Sequence, residues 1–263
     1  MTETMVELDA AVFLMGTDAA DGFPQDREGP VREQRVGPFA IDTVAVSNAR
    51  FAAFAAATGH VTDAERHGWS FVFQGLLGPD HPPTRGIVGA PWWRQVHGAS
   101  WRAPEGPGSE ARDEHPVVHI SHHDALAYCA WAGLRLPTEA EWEYAGRGGL
   151  VQARYPWGDE LTPGGEHRAN IWQGDFPTHN TLDDGFYGTA PVDAFAPNGF
   201  GLHNVAGNVW EWCADDFAPG VKAMRGGSYL CHASYCNRYR VAARSGSPPD
   251  SSSGNVGFRC AAG

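Results

Sequence analysis

"APVDAFAPNGFGLHNVAGNVWEWCADDF", residues 190–217, interleaves Pro191, Pro197, Gly199, Gly201 and Gly207 with Asn198, Asn204 and Asn208. Turn-forming residues recur before any helical repeat of apolar positions can complete, so the stretch reads as turns and short strands. The rest of the chain beyond Gly148 reads the same way, in "RYPWGDE" (154–160), "RGGSYL" (225–230) and "VGFRCA" (256–261). Residues 11–46 are likewise short strands broken by Gly and Pro.

Helices are predicted only in the N-terminal half. Ser47 is placed to cap "NARFAAFAAATGH", in which Phe51, Phe54 and Ala55 share a face and Gly59 supplies the stop. Ser121 caps "SHHDALAYCAWAG", with Cys129 in its last turn. Thr138 and Glu141 form a capping box that opens a third helix in "PTEAEWEYAGRGG", with Gly146 beginning its exit. Between Asp63 and Pro116 periodicity is poor while Trp69, Trp92, Trp93 and Trp101 recur among Gly and Pro. So long an irregular region is uncommon unless functional, although any single Trp there is more often packing under a loop. Without a repeat period or a long linker, residues 1–263 read as one α+β domain with little regular secondary structure.

Composition narrows the function. Hydrophobic residues make up 42% of the 263, enough for a substantial core, and Gly 33, Pro 19 and Trp 10 describe a loop-rich chain rather than a helical bundle. A formal charge of −12 offers nucleic acid and anionic membranes little to bind. "MTETMVELDAAVFLMG" lacks the basic start, long apolar stretch and cleavage site of a signal peptide, and no run approaches a membrane span, so a cytoplasmic protein is expected. Five cysteines are too few for a disulfide scaffold, and an odd total leaves at least one free.

Three places could carry chemistry. Residues 169–207 are rich in Asn, Asp and Gly-turn carbonyls, the hard oxygen donors that Ca²⁺ takes. They are no EF-hand, since Leu182 and Pro191 stand where ligands would be needed, and such Asx-rich turns are more often self-capping. His119, His122 and His123 lack a matching carboxylate pattern and read as structural or solvated. In "GGSYLCHASYCNRYR" (226–240) two cysteines stand five positions apart, open to three readings: a local disulfide, a metal clamp or inert thiols. Two convergent thiolates suit Cu(I), whereas Zn²⁺ would want four ligands. Arg238, Arg240 and Arg244 would favour the thiolate form if they faced the sulfurs. No GxSxG, Walker loop, GxGxxG or HExxH motif is present.

Taken together, "MGTD" (15–18), "AVSNARF" (45–51), "HPVVHISHHDALAYCAWAGLRLPTEAEWEYAGRGG" (115–149), "NIWQGDFP" (170–177), "RGGSYLCHASYCNRYRVAARSGSPPDSS" (225–252) and "GFRCAA" (257–262) resemble the formylglycine-generating enzymes, or sulfatase-modifying factors. "GNVWEW" and "GFRC" belong to the wider fold superfamily, while the cysteine segment is specific to the enzymes. The resemblance implies a compact fold related to C-type lectins. It also implies an oxidase that converts the cysteine of a Cys-x-Pro-x-Arg motif in unfolded sulfatases to formylglycine, using O₂, Cu(I) and a thiol reductant. By position, Cys231 and Cys236 would hold copper, Ser228 and Tyr235 would line the oxygen pocket, and Trp210 would wall it. Ser70, Trp92 and Asn255 would border the substrate groove. Two structural Ca²⁺ sites are implied, one from Asn170, Asp184 and the carbonyls of Ile171 and Phe186, the other from Asn204 and the carbonyls of Val205, Gly207 and Val209.

Departures and alternatives complete the reading. Gly146 and Val241 stand where secreted animal relatives carry a disulfide, which fits a cytoplasmic bacterial member, whereas Cys129 and Cys260 match the other paired positions. The connector "DFAPGVKAMR" (216–225) is short, so a more open groove rim is expected. A monomer is expected, with an unfolded sulfatase or its peptide as partner. The competing readings are a non-catalytic lectin-like binding module and an iron-dependent sulfoxide synthase, which would need an additional N-terminal helical domain.

Overall fold

A computed structural model describes residues 5–263. Its helices are α1 (Asn48–Thr58), α2 (Asp63–His67), α3 (His122–Ala132) and α4 (Glu139–Arg147). The Ser47 and Ser121 hydroxyls accept from the backbone N–H of Arg50 and Asp124, and Gly59 and Gly133 close α1 and α3 in the left-handed region. Thr138 and Glu141 make the expected capping box on α4. The exit at Gly146 is corrected: α4 continues to Arg147 and Gly148, at φ 56°, ends it. Gly146 lies inside the helix, and its lack of a side chain makes room for Val205, since a Cβ there would sit 3.0 Å from it.

The stretch after Asp63 is more regular than its periodicity indicates. α2 opens it under a Thr62–Glu65 capping box, and strand Trp69–Phe73 pairs antiparallel with Ala90–His97. Five residues of helix and a half-buried hairpin leave too few repeats for a pattern to show.

Four strands form the largest sheet, in the order Arg244–Ser247, Val221–Arg225, Trp210–Ala218, Val256–Gly257. The last pair is parallel, with Trp210 opposite Val256. A second sheet joins Met5–Leu8, Phe39–Asp42 and Ala261–Ala262, which ties the two ends of the described chain together.

Buried ion pairs lock these pieces. Arg259 is fully buried; its Nε and Nη2 donate to Glu211 at 2.6 and 2.7 Å, and Trp142 Nε1 donates to the same carboxylate at 2.7 Å. "GFRC" and "GNVWEW" are thus held by one desolvated bidentate contact, and two charges survive inside only because they are paired and hydrogen-bonded. Arg225, also fully buried, reaches Glu139 and Glu143 on α4. The main core gathers Phe51, Phe54, Tyr128, Trp212 and Phe258, and it includes Cys231 and Cys236.

Candidate copper and oxygen site

The cysteine segment leaves strand Val221–Arg225 through Gly226 and Gly227, at φ 94° and 74°. A Cβ on either would come 2.9 Å from a carbonyl, of Val205 or of Arg238, so only glycine turns the chain here. Two short turns follow: Cys231 N donates to Ser228 O at 2.9 Å and Cys236 N to His232 O at 2.8 Å. They bring the two sulfurs to 2.6 Å, both buried and both free thiols.

The environment separates the two. Burial and the neighbouring sulfur push the Cys231 thiol well up. Cys236 is lowered, chiefly by the Cys231 hydrogen bond, then against the cost of burial by the Arg238 guanidinium, whose Nη1 lies 4.0 Å from its sulfur. Of the two sulfurs, Cys236 is therefore the one that its surroundings bias toward the thiolate form.

Of the three arginines singled out in the sequence, only Arg238 faces a sulfur. It is aimed by Asp26 at 2.5 Å and covered by the Phe23 ring at 3.8 Å. Arg240 forms a bidentate pair with Glu28, and Arg244 turns to Glu139. No local signal marks Asp26, Phe23 or Glu28, because they lie some two hundred residues away in sequence.

A pocket of about 280 Å³ opens over the thiols, lined in part by Ser228, Tyr235, Trp210, Trp93, Ser252 and Asn255. Ser253 Oγ donates to Asn255 Oδ1 at 2.8 Å, and Asn255 Nδ2 donates to Ser228 Oγ at 2.9 Å. Tyr235 stacks on Phe176 at 4.6 Å and meets the edge of Trp92 at 4.8 Å. Two positions differ from the expected groove border. Ser70 is fully buried and sits one layer behind the wall, against Ser252, because its strand turns that side chain inward. Trp92 packs with Phe176 and Tyr235 beside the pocket, and its neighbour Trp93 lines it.

The expected oxygen ligands also have definite surroundings. Asp184 is buried without a Lys or Arg ion pair among the described residues, with only a Coulombic contribution from His167, and burial raises its carboxyl. The Gln173 amide nitrogen touches both Asp184 Oδ2 and Ile171 O, so these two oxygens face one point. Asp184 also accepts from the backbone N–H of Ile171 and Phe186. Asn170 Nδ2 is taken up by Gly188 O and Asn208 Oδ1. In the second set, Asn204 lies in the left-handed region at φ 49° with its Nδ2 on the carbonyls of Pro191 and Val192. Its Oδ1 is buried without a partner, as a cation ligand would be. Val205, Gly207 and Val209 follow in the same buried segment.

Among the described residues no three His, Cys, Asp or Glu side chains converge as a metal cluster. His119 and His122 are buried, and His123 is exposed against Asp63. The Cys129 and Cys260 sulfurs lie 3.7 Å apart as buried free thiols. No helix of the described residues is long and apolar enough to cross a membrane.

The solved structure of PvdO from Pseudomonas aeruginosa shares this fold, with a TM-score of 0.73 at 24% identity over 98% of this chain and 93% of that one. A protein of Thermomonospora curvata named formylglycine-generating enzyme is 59% identical, covering 98% of this chain and 93% of its own length. A mouse protein named inactive C-alpha-formylglycine-generating enzyme 2 is 49% identical over 98% of this chain and 85% of its own. The model of the sulfatase-modifying factor enzyme 1-like domain matches residues 1–263. This chain belongs to that family.

Proposed function

We propose that this protein converts the cysteine of a Cys-x-Pro-x-Arg segment in an unfolded sulfatase into formylglycine, with Cys231 and Cys236 as the ligands of Cu(I). The observation that carries the reading is the pair of buried free thiols converging at the floor of an open pocket. Family membership alone does not decide activity, since a relative named inactive is 49% identical.

The donor set fits the metal. Two soft sulfurs, one of them biased toward thiolate by Arg238, match Cu(I) and are too few for structural Zn²⁺. When bound, copper supplies a centre for the substrate sulfur and for electron transfer to O₂. Oxidising the cysteine to an aldehyde with loss of sulfide removes two electrons, whereas reducing O₂ to water takes four. An external thiol, leaving as its disulfide, supplies the other two.

The protein's own groups shape the pocket. Because Asn255 donates to the Ser228 oxygen, the Ser228 proton is left to point into the pocket as a donor. Tyr235 is held in place by Phe176 and Trp92, and Trp210 closes one side. Calcium would be held by Asn170, Asp184 and the carbonyls of Ile171 and Phe186, and by Asn204 with the carbonyls of Val205, Gly207 and Val209. The buried Asp184 carboxyl, which lacks a Lys or Arg ion pair among the described residues, and the unpartnered Asn204 oxygen support this assignment. Five free cysteines fit a reducing, cytoplasmic setting.

The test is mass spectrometry of a Cys-x-Pro-x-Arg peptide incubated aerobically with the protein, copper and a thiol. Loss of the cysteine sulfur with appearance of the aldehyde is expected. An unchanged peptide from copper-loaded, folded protein would leave the non-catalytic binding module as the better reading.

A further inference from the structure

Behind the pocket wall runs a chain of hydrogen bonds whose direction is forced. His119 is fully buried at φ 59°, with Nε2 2.8 Å from Pro104 O and Nδ1 2.8 Å from Ser70 Oγ. Ser70 Oγ is in turn 2.8 Å from Ser252 Oγ, which lines the pocket. A carbonyl can only accept, so Nε2 carries the ring proton and donates to Pro104. Burial pushes the imidazole down to about 4, so at neutral pH Nδ1 is a bare lone pair. The Ser70 hydroxyl must donate to it, and Ser70 oxygen is then the acceptor for the Ser252 proton. Only the Ser252 lone pairs remain to face the pocket.

We propose that His119, acting through Ser70, fixes the Ser252 hydroxyl as a hydrogen-bond acceptor toward the pocket, where it selects an N–H donor on the bound substrate peptide. The opposite polarity is built into the other branch, in which Ser253 and Asn255 leave Ser228 as a donor. Both branches hang on one short segment. His119 N donates to Ser253 O at 3.0 Å, Gly254 N donates to Phe71 O at 2.9 Å, and a Cβ on Gly254 would come 3.3 Å from the His119 ring. His119 and Ser70 are therefore positioning residues, and Ser252 is the group that meets substrate. The donor is a backbone amide or the arginine guanidinium of the motif. This inference rests on the peptide-oxidising reading above.

Two measurements test it. The first, ¹⁵N NMR of histidine-labelled protein assigned with His119→Gln, needs no turnover. It should show neutral His119 protonated at Nε2 throughout the neutral range, and an Nδ1–H tautomer or an imidazolium overturns the relay. The second compares peptides carrying single amide-to-ester replacements, or norleucine for the motif arginine, on wild type, Ser252→Ala and Ser70→Ala. Ser252→Ala should raise KM about 5- to 10-fold, the worth of one hydrogen bond, with kcat moving less. One replacement should cost wild type a similar factor and Ser252→Ala nothing more, which identifies the donor. Ser70→Ala keeps Ser252 but frees its proton, so the same penalty should shrink. Equal penalties in wild type and Ser252→Ala at every position overturn the inference while wild-type turnover upholds the functional reading. A wild type that converts no peptide overturns that reading and the substrate half of this one.

Discussion

Cys231 and Cys236 face each other as buried thiols, and the Arg238 guanidinium stands behind the second. One remaining thiolate cannot hold Cu(I) against cellular thiols, so Cys231→Ser and Cys236→Ser should each abolish peptide turnover in copper-supplemented assays. Near-native turnover by either folded variant would remove the clamp. The cysteines were legible in the sequence, but the choice of Arg238 over Arg240 and Arg244 was not. It depends on Asp26 and Glu28, which reach the segment from the other end of the chain. Buried histidines give a second prediction at this scale. His119 and His122 are held at about 4 by burial, against 6.5 when free. Below pH 6.5 the unfolded chain binds protons that the folded one refuses, so stability falls as pH drops from 6.5 toward 4. The loss is about 3 kcal/mol per histidine at most. Urea midpoints across this window should fall in wild type and fall less steeply in His122→Gln, where His119 and the likewise depressed His115 still contribute. A wild-type profile that stays flat there contradicts the buried neutral state.

Among the elements, capping chemistry was the most readable feature, because a cap is a local contract between residues three positions apart. Ser47, Ser121 and Thr138 all cap as their spacing indicates. Thr138→Ala should therefore cost about 1 kcal/mol in chemical unfolding. The Thr62–Glu65 box before α2 carried the same signal, but the five-residue helix behind it had no periodic face to announce it. Strand Trp69–Phe73 was hidden for a related reason, since its partner Ala90–His97 is separated from it by a long loop. Glycines in the irregular half are specified as tightly as any core residue. Gly207 lies at φ 78°, and a Cβ there would stand 2.2 Å from Asn170 O. Left-handed strain and overpacking add, so Gly207→Ala should destabilise by about 2–5 kcal/mol. A loss below that of Thr138→Ala would mean that the loop yields easily.

At the scale of the whole molecule, a long stretch between α4 and strand Trp210–Ala218 has only two-residue strands and a short 3-10 turn of its own. Its order must come from cross-links, and the sequence showed their chemistry as oxygen-rich turns without showing which oxygens converge. Asp184 is buried there with no Lys or Arg ion pair among the described residues, and Asn204 Oδ1 is buried without a donor. Both are costly in a dry interior, and a divalent cation at each would remove the cost. A ligand that binds only the folded chain stabilises it by mass action, about 2.7 kcal/mol per site at a hundredfold excess over Kd. For a domain of this size that is about 5–10 °C in Tm per site, and about twice that for both. Removing calcium should lower Tm by this order, and Asp184→Ala should abolish part of the response while leaving Asn204-dependent stabilisation. A copper-specific chelator should instead stop turnover at temperatures where the protein stays folded, with activity restored by added copper. The cysteine loop keeps its shape through Arg238–Asp26 and Arg240–Glu28, which need no metal. An unchanged melting curve after verified calcium removal would show that the Asn- and Asp-rich turns hold themselves together, as their hydrogen bonds to Gln173, Gly188 and Pro191 would then have to do alone.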